Sequence, residues 1–230
     1  GTFELYAGGR HLMPDSGCYI YSGDDKGRAW FRQTRVHQTL TLDNKNSAYA
    51  PRLLLWKPGA DVDVLVVENA GYPGLTHRRA VFFVRKQFFV IVDEALGQAV
   101  GSLDLHFQLA PGKAAFDKKA LSAHTDFPQG WNVLVRALPQ SGMALEEEEG
   151  QVSFTYGKKE PRPAFAYAVR KDSADEAVRF VTLVAPYSGS GPAIDVQLAG
   201  TPAVGSPRVD LDIRLNGQMV RVGYNLATRP

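Results

Sequence analysis

The residues of this 230-residue chain that are best suited to chemistry lie close together near its start, between positions 11 and 43. This stretch holds two of the five histidines, the only cysteine and one of the three tryptophans. Within it, Asp15 lies in a Pro-Asp-Ser-Gly segment and His37 lies in an Arg-Val-His-Gln-Thr segment. A carboxylate and an imidazole on neighbouring strands can supply two ligands to a divalent metal ion. Two ligands do not complete a site, so the residues alone leave two alternatives open, a partial metal site or two ordinary polar strands.

The other reactive side chains have weaker sequence contexts. Cys18 has no base partner in its vicinity and is read as a packed strand residue. His77 is followed directly by Arg78 and Arg79 at the start of a strand. That basic cluster either contacts an anionic ligand or belongs to the ordinary charged surface, and the residues alone leave both readings open.

Composition and motifs exclude several classes of function. The chain carries a formal net charge of +2, whereas nucleic-acid-binding domains are usually clearly basic, so we expect no nucleic-acid partner. The sequence contains no phosphate-binding glycine loop and no Gly-x-Ser-x-Gly nucleophile turn. It also lacks an apolar run long enough to span a membrane, and it opens directly on a strand-like segment. We therefore expect a fragment of a longer protein, without a membrane span.

Alternation of apolar and polar residues dominates the chain from end to end. Segments such as Asp-Val-Asp-Val-Leu-Val-Val (61–67) have the period of two that is typical of half-buried strands. Asn216-Gly217, between two alternating runs, predicts a tight hairpin. Residues 30–43 are interpreted as another strand, with Arg35 and His37 on one face. The pattern predicts an all-β protein in which residues 1–230 form one large antiparallel β-sandwich of about fourteen short strands.

Four segments, in this order, resemble the heparinase II/III-like family. They are GTFELYAGGRHLMPDSGCYIYSGD (1–24), WFRQTRVHQTLTLD (30–43), VENAGYPGLTHRRAVFFVRKQFFVIVDEALG (67–97) and LDLHFQL (103–109). The resemblance is closest to the heparinase III type, the heparan-sulfate lyases. It is ordered over residues 1 to about 110, and later strands such as PRPAFAYAVRK (161–171) also fit.

The resemblance implies a fold and an activity. Such lyases have an N-terminal (α/α) toroid and a C-terminal antiparallel β-sandwich, and this chain resembles the sandwich alone, with the toroid missing. The implied reaction is β-elimination at a uronic acid of an anionic polysaccharide, in the periplasm or outside a bacterial cell. The implied catalytic residues lie in the missing part, so none is assigned here and the chain alone is expected to be inactive.

The resemblance also implies roles for particular residues. Asp15 and His37 match the structural metal ligands of the family, for zinc or alternatively calcium. The implied substrate contacts are Tyr19, Tyr21, Arg35, His77 and Arg78. Three alternatives are an alginate or oligoalginate lyase domain, a non-catalytic carbohydrate-binding sandwich and a purely structural module.

Overall fold

The computed structural model describes residues 1–176, 178–200, 203–215 and 217–227, and within them the protein is almost entirely β-structure. The all-β prediction is therefore confirmed. The elements, in chain order, are β1 (Leu5–Ala7), β2 (Arg10–Met13), α1 (Asp25–Phe31), a 3-10 helix (Thr34–Val36), β3 (Leu40–Leu42), β4 (Pro51–Lys57), β5 (Val62–Tyr72), β6 (Leu75–Val84), β7 (Phe88–Leu96), β8 (Gly101–Gln108), β9 (Ala114–Asp117), β10 (Ser122–Thr125), β11 (Trp131–Ala137), β12 (Ala144–Thr155), β13 (Lys158–Lys171), β14 (Val178–Ser188), β15 (Ile194–Leu198), β16 (Arg208–Leu215) and β17 (Gln218–Asn225).

The chain folds into two compact units. The first contains Gly1–Ser47, Gly101–Val133 and Pro139–Arg170. The second contains Ala48–Val100, Leu134–Leu138 and the described residues from Lys171 onward. Strand β11 begins in the first unit and ends in the second, so the chain passes between the units several times.

The first unit contains a four-stranded antiparallel sheet in the order β12-β13-β8-β3. Its core is aromatic, because Phe107 of β8 stacks on Phe165 of β13 with ring centroids 5.3 Å apart. The buried Tyr167 of β13 donates a hydrogen bond from its hydroxyl to the carbonyl of Leu121, just before β10 (2.8 Å). A buried phenol thus keeps a polar partner while its ring fills the core.

The second unit is a sandwich of two antiparallel sheets. The larger sheet includes β4-β5-β6-β7-β14, and the smaller is β15-β16-β17. A row of small apolar residues crosses the larger sheet in register, from Val66 to Ala80, Val92 and Val181. These residues belong to one buried cluster with the inward residues of the smaller sheet, which are Ile194, Val196, Val209, Leu211, Ile213, Leu215, Val222 and Tyr224. Burial of these apolar side chains is the main stabilising contribution to the sandwich.

Most of the strand predicted over residues 30–43 is not a strand, because a short helix and a 3-10 helix occupy its first half. The side chain of Asp24 accepts a hydrogen bond from the backbone N–H of Gly27 (2.8 Å) and caps the start of α1. The helix ends at Phe31, whose buried ring stacks on Tyr19 at 5.1 Å. The 3-10 helix follows, and only Leu40–Leu42 of the predicted segment is a strand. Local capping therefore overrides the weak alternation of this stretch.

The hairpin predicted near the end of the chain is present. Strands β16 and β17 pair antiparallel, with Leu215 opposite Gln218, and Gly217 has a φ of 80°. Asn216 itself lies outside the described residues. Across the described ranges, no helix has the length and apolar character needed to cross a membrane.

Candidate functional site

The Pro14–Gly17 segment forms a tight turn that presents Asp15. The Oδ1 atom of Asp15 accepts a hydrogen bond from the backbone N–H of Gly17 (2.9 Å). This bond from an aspartate to the backbone two residues later is an Asx turn, which explains the Asp-Ser-Gly sequence. The hydroxyl of Ser16, fully buried, donates to the carbonyl of Val36 and ties the turn to the segment that carries His37.

Asp15 and His37 are in direct contact. The Nδ1 atom of His37 lies 2.6 Å from Oδ2 of Asp15, and both side chains are partly exposed. Burial alone would raise the pKa of Asp15. The hydrogen bond and charge of His37, the Gly17 N–H and the charge of Arg162 outweigh burial and hold the pKa of Asp15 below 3.8. The carboxylate is therefore ionised at neutral pH and orients the imidazole ring.

Arg162 of β13 anchors the Asp15 turn from behind. Its Nη1 donates to the carbonyl of Pro14 and its Nη2 to the hydroxyl of Ser16, both at 2.6 Å, and the residue is 5% exposed. Burial lowers the pKa of Arg162 to about 10, although the charge of Asp15 opposes this shift. Arg162 is not among the site residues predicted from the sequence. Alternation in β13 places Arg162 on the same side as the buried Ala164, and that pattern was the available signal.

The tip of the β12–β13 hairpin pairs with the Asp15 turn. Ser153 donates its backbone N–H to the carbonyl of Ser16 (2.9 Å), and Gly157 donates to the carbonyl of Tyr19 (2.8 Å). Gly17 has a φ of 77°, and a Cβ built on it would lie 2.3 Å from the carbonyl oxygen of Ser153. Only glycine allows this backbone conformation together with so close an approach.

A pocket of about 320 Å³ lies beside His37. Arg28 and Arg32 line it together with His37 and Tyr21, and no Asp or Glu of the described residues does so. The two arginines are four residues apart, at the end of α1, and therefore lie on the same side of the helix. Arg28 also donates to the carbonyl of Tyr21 (3.0 Å), which fixes its guanidinium at the rim. We refer to this site as the Arg28/Arg32 pocket, and its charge suits an anionic group.

The predicted substrate contacts Tyr19, Tyr21 and Arg35 belong to the same unit as this pocket but have different surroundings. Tyr21 is 68% exposed and stacks on Tyr156 with ring centroids 5.9 Å apart. Tyr19 is half-buried, and its hydroxyl donates to Asp24 (3.3 Å). Arg35 is half-buried in the 3-10 helix and does not line the pocket. Tyr21 is thus the predicted aromatic contact that the fold leaves most available.

His77 and Arg78 belong to the second unit, where internal carboxylates bind both. The ring of His77, 4% exposed, donates from Nε2 to Asp93 (2.6 Å). Burial lowers the pKa of His77 and outweighs the neighbouring carboxylate, so the ring is neutral at neutral pH. Arg78 donates to Glu68 (2.9 Å) and to the backbone carbonyl of Ser206 (3.2 Å). The reading of this cluster as exposed surface charge is wrong, since these groups form a buried network, and their predicted contact with substrate stays a prediction.

The Asp15–His37 pair fits a metal ion in part. An imidazole is a ligand for zinc, whereas calcium takes oxygen ligands, so the donor types favour zinc. With Nδ1 of His37 bonded to Asp15, the ring's Nε2 is the atom left for a metal, and the carboxylate would orient the ring. Among the described residues, no group of three His, Cys, Asp or Glu side chains is placed to hold a metal. Further ligands would therefore have to come from outside the described part of the chain.

Comparison of the sequence with known protein families identifies the class of protein to which the chain belongs. The family model "Heparinase II/III-like, C-terminal" matches residues 1–197. The chain therefore belongs to the heparinase II/III-like family and corresponds to the C-terminal domain of its members.

Two relatives have been named for their activity. The chain is 39% identical over 224 residues to a heparin-sulfate lyase of Pedobacter heparinus, an alignment that covers 95% of this chain and 34% of that protein. It is 37% identical over 231 residues to a heparin-sulfate lyase of Bacteroides stercoris, covering 98% of this chain and 34% of the relative. The chain thus spans about a third of the length of the curated relatives it matches.

Solved structures agree with the family assignment. The crystal structure of heparan sulfate lyase HepC from Pedobacter heparinus matches with a TM-score of 0.92 and 38% identity, over 100% of this chain and 37% of that one. A crystal structure of heparinase III matches with a TM-score of 0.90 and 34% identity, over 98% of this chain and 35% of that one. The resemblance inferred from the ordered segments is therefore confirmed.

Proposed function

We propose that this chain is the C-terminal domain of a polysaccharide lyase that cleaves a heparan-sulfate-like glycosaminoglycan by β-elimination. The observation that carries the proposal is the Arg28/Arg32 pocket, a cationic recess bordered by an exposed tyrosine, in a chain of the heparinase II/III-like family. The names of the relatives support the same substrate class.

The role of the pocket is to bind and orient the anionic sugar. A uronate or sulfate group placed between Arg28 and Arg32 accepts charge-assisted hydrogen bonds from two guanidinium groups. Neutralising the carboxylate of a uronate makes its C5 proton more acidic. A base then removes that proton, electrons form the C4–C5 double bond, and the C4 oxygen leaves with a proton from an acid. We assign the base and the acid to the rest of the protein, consistent with the relatives' greater length.

Tyr21 completes the proposed subsite. Its exposed ring stacks on Tyr156 and lies 5.5 Å from the guanidinium carbon of Arg28. A sugar ring has apolar C–H faces that pack on aromatic rings, while its charged groups reach the arginines. We extend the proposal to Tyr19 as a support of the pocket, because Tyr19 packs on Phe31, which lines it. Contact of Arg35 with the substrate stays a prediction.

We further propose that Asp15 and His37 hold a structural zinc ion together with ligands from another part of the protein. When bound, the metal would brace the turn and the catalytic part against each other. Metal analysis of the purified protein tests this. We expect about one zinc per protein and its loss in His37→Ala, whereas equal zinc content in wild type and His37→Ala would contradict it.

The proposed context follows from the activity. The partner domain is an N-terminal toroid of the same protein, and the substrate is an anionic polysaccharide outside the cytoplasm. We accordingly propose a periplasmic or secreted location in a bacterium, which fractionation of cells that express the full-length protein would test.

The test of the proposed function is a lyase assay on the full-length protein. The ultraviolet absorbance of the unsaturated product is followed with heparan sulfate, heparin and alginate as substrates. We expect activity on heparan sulfate and a KM raised about tenfold or more in Arg28→Ala/Arg32→Ala, since each guanidinium–anion contact contributes on the order of 1 kcal/mol. Arg214→Ala, which removes an exposed arginine of the second unit, serves as the control. Activity on alginate alone would replace the substrate class, and no product from any uronate polymer would refute the lyase proposal.

A further inference from the structure

A second recess with saccharide-binding chemistry lies in the second unit. It is a groove of about 620 Å³ between the edge strand β4 and strand β17, and we call it the Trp56 groove. Trp56 of β4, 58% exposed, forms one wall. The opposite wall comes from β16 and β17. Arg208, Asp210, Arg221 and Asn225 lie on the outward face of these strands, whereas Val222 and Tyr224, which also line the groove, belong to the core of the sandwich.

The exposed indole of Trp56 is the first unusual feature of the groove. Exposing a large aromatic ring to water is unfavourable, and exposed aromatic rings on a protein surface mark interaction sites. Leu55, which precedes Trp56 in β4, also lines the groove and is half-buried. Strand β17 contributes Gly223, where a Cβ would lie 2.6 Å from Oδ1 of Asp210, so the side chain of Asp210 packs directly over this glycine.

Cations surround the indole. Lys57, Arg208 and Arg221 all line the groove, and among the described residues Asp210 is the one carboxylate that lines it with them. Arg208 donates only its Nε to Asp210 (2.7 Å), so its terminal nitrogens make no hydrogen bond with the described residues. Its side chain is 66% exposed and can therefore reach a bound anion.

Arg221 is held in place by a partner outside the groove wall. Two of its nitrogens donate to Asp212, at 2.7 and 2.9 Å, which leaves the third, Nη1, to donate outward. Such a bidentate pair fixes the guanidinium plane and lowers the entropy lost when a ligand binds. Together with Lys57 and Arg208, this arrangement gives the groove a net positive charge.

We infer that the Trp56 groove is a second binding site for an anionic saccharide, in which a sugar ring packs on Trp56 and its sulfate or carboxylate groups bind Arg208 and Arg221. The ligand class rests on the proposed function, whereas the site itself belongs to the second unit and shares no residue with the Arg28/Arg32 pocket. A long substrate chain bound at this site stays attached to the protein between cleavage events.

The test is a titration of the full-length protein with heparan sulfate oligosaccharides. It is made in the Arg28→Ala/Arg32→Ala background, so that binding at the pocket does not mask the groove. We expect quenching of tryptophan fluorescence on binding, an affinity about tenfold lower for Trp56→Ala, and a loss of about fivefold for Arg221→Ala. Raising the salt concentration should weaken binding in the parent and less so in Arg221→Ala.

Two further variants keep the test decisive. Trp56→Phe retains an aromatic ring, so it should keep most of the affinity and lose the part of the fluorescence change that comes from Trp56, which the difference between parent and variant measures. Arg214→Ala, on the outward face of β16 but outside the groove, should bind like the parent.

The outcomes separate this inference from the proposed function. If the wild type cleaves heparan sulfate and Trp56→Ala binds the oligosaccharide as tightly as its parent, the groove assignment is wrong and the lyase proposal stands. If neutral oligosaccharides bind equally well, the assignment of anionic ligands is wrong. If the wild type neither binds nor cleaves heparan sulfate, the proposed function fails and the ligand class of the groove fails with it.

Discussion

Replacement of Arg162 by methionine is the most direct test of how the candidate site is held. The change removes two hydrogen bonds, to the carbonyl of Pro14 and to the hydroxyl of Ser16, from a residue that is only 5% exposed. A buried acceptor left without its partner costs about 1–3 kcal/mol, so the two together cost about 4 kcal/mol. Part of this cost is offset, because the buried charge of Arg162 is itself unfavourable. The same burial lowers the pKa of Arg162 to about 10. We expect a net destabilisation of about 2 kcal/mol.

Urea unfolding of the wild type and the variant, followed by circular dichroism, measures this difference. Arg162→Lys keeps the positive charge without the planar fork and should fall between the two. Arg214→Met removes an exposed arginine and should change the free energy of unfolding by less than about 0.5 kcal/mol. An Arg162→Met protein as stable as Arg214→Met would refute the anchoring argument.

Three further predictions concern the site and the buried network. Asp15→Asn keeps the acceptor for Gly17 but loses the charge that faces His37, so urea unfolding should show a loss of about 1 kcal/mol, discounted for the partial exposure of the pair. Gly17→Ala forces a Cβ to within 2.3 Å of a backbone carbonyl at a φ of 77°, so its thermal midpoint should fall markedly, by about 3 kcal/mol in stability, and an unchanged midpoint would contradict the geometry. Because burial lowers the pKa of His77 below 6.5, the folded state binds fewer protons than the unfolded one. Stability is then complete above pH 6.5 and declines as the pH falls toward the folded pKa, a decline that urea midpoints should show in the wild type and not in His77→Gln.

The fold class was predictable because strand alternation is a strong and repeated signal. In β5, for example, Val64 and Val66 are buried while Leu65 between them is only half-buried. Each such pattern indicates that one face of the strand packs in a core. The positive φ of Gly217 is also the conformation expected for a tight hairpin turn. The division into two compact units was not predictable, since it depends on which strands meet and not on the pattern within each strand.

The helix α1 escaped the sequence analysis for a physical reason. It has seven residues, too few for a helical period to stand out, and it contains Gly27. Its start depends on the cap by Asp24, which a strand reading of the neighbouring residues ignores. The predicted strand over residues 30–43 contains Arg32 but not Arg28, and the helix is what brings both arginines to one pocket. The pocket was therefore predictable only as a set of residue types.

The sequence predicted that Asp15 and His37 act together, because a carboxylate and an imidazole are both metal ligands. It did not predict that Arg162 anchors the turn that carries Asp15. Arg162 acts across about 147 positions of sequence, through bonds to residues 148 and 146 positions away. Nothing in the sequence near Asp15 indicates so distant a partner. The one signal is that alternation in β13 places Arg162 on the buried face of its strand. Buried charged residues in an alternating strand are thus the signal to follow in sequences of this kind.

The long reach of Arg162 also sets an order for assembly during synthesis. A ribosome-bound chain that ends before β12 already contains Asp15, His37 and the whole of α1, yet it lacks Arg162, Ser153 and Gly157, which hold the turn. Closing so long a loop is entropically costly and comes late, after local hairpins have formed. The nascent protein therefore carries its site residues in an unassembled form until most of the chain has been made. The turn that presents Asp15 is complete only after β13 has been made and Arg162 has bound Pro14 and Ser16.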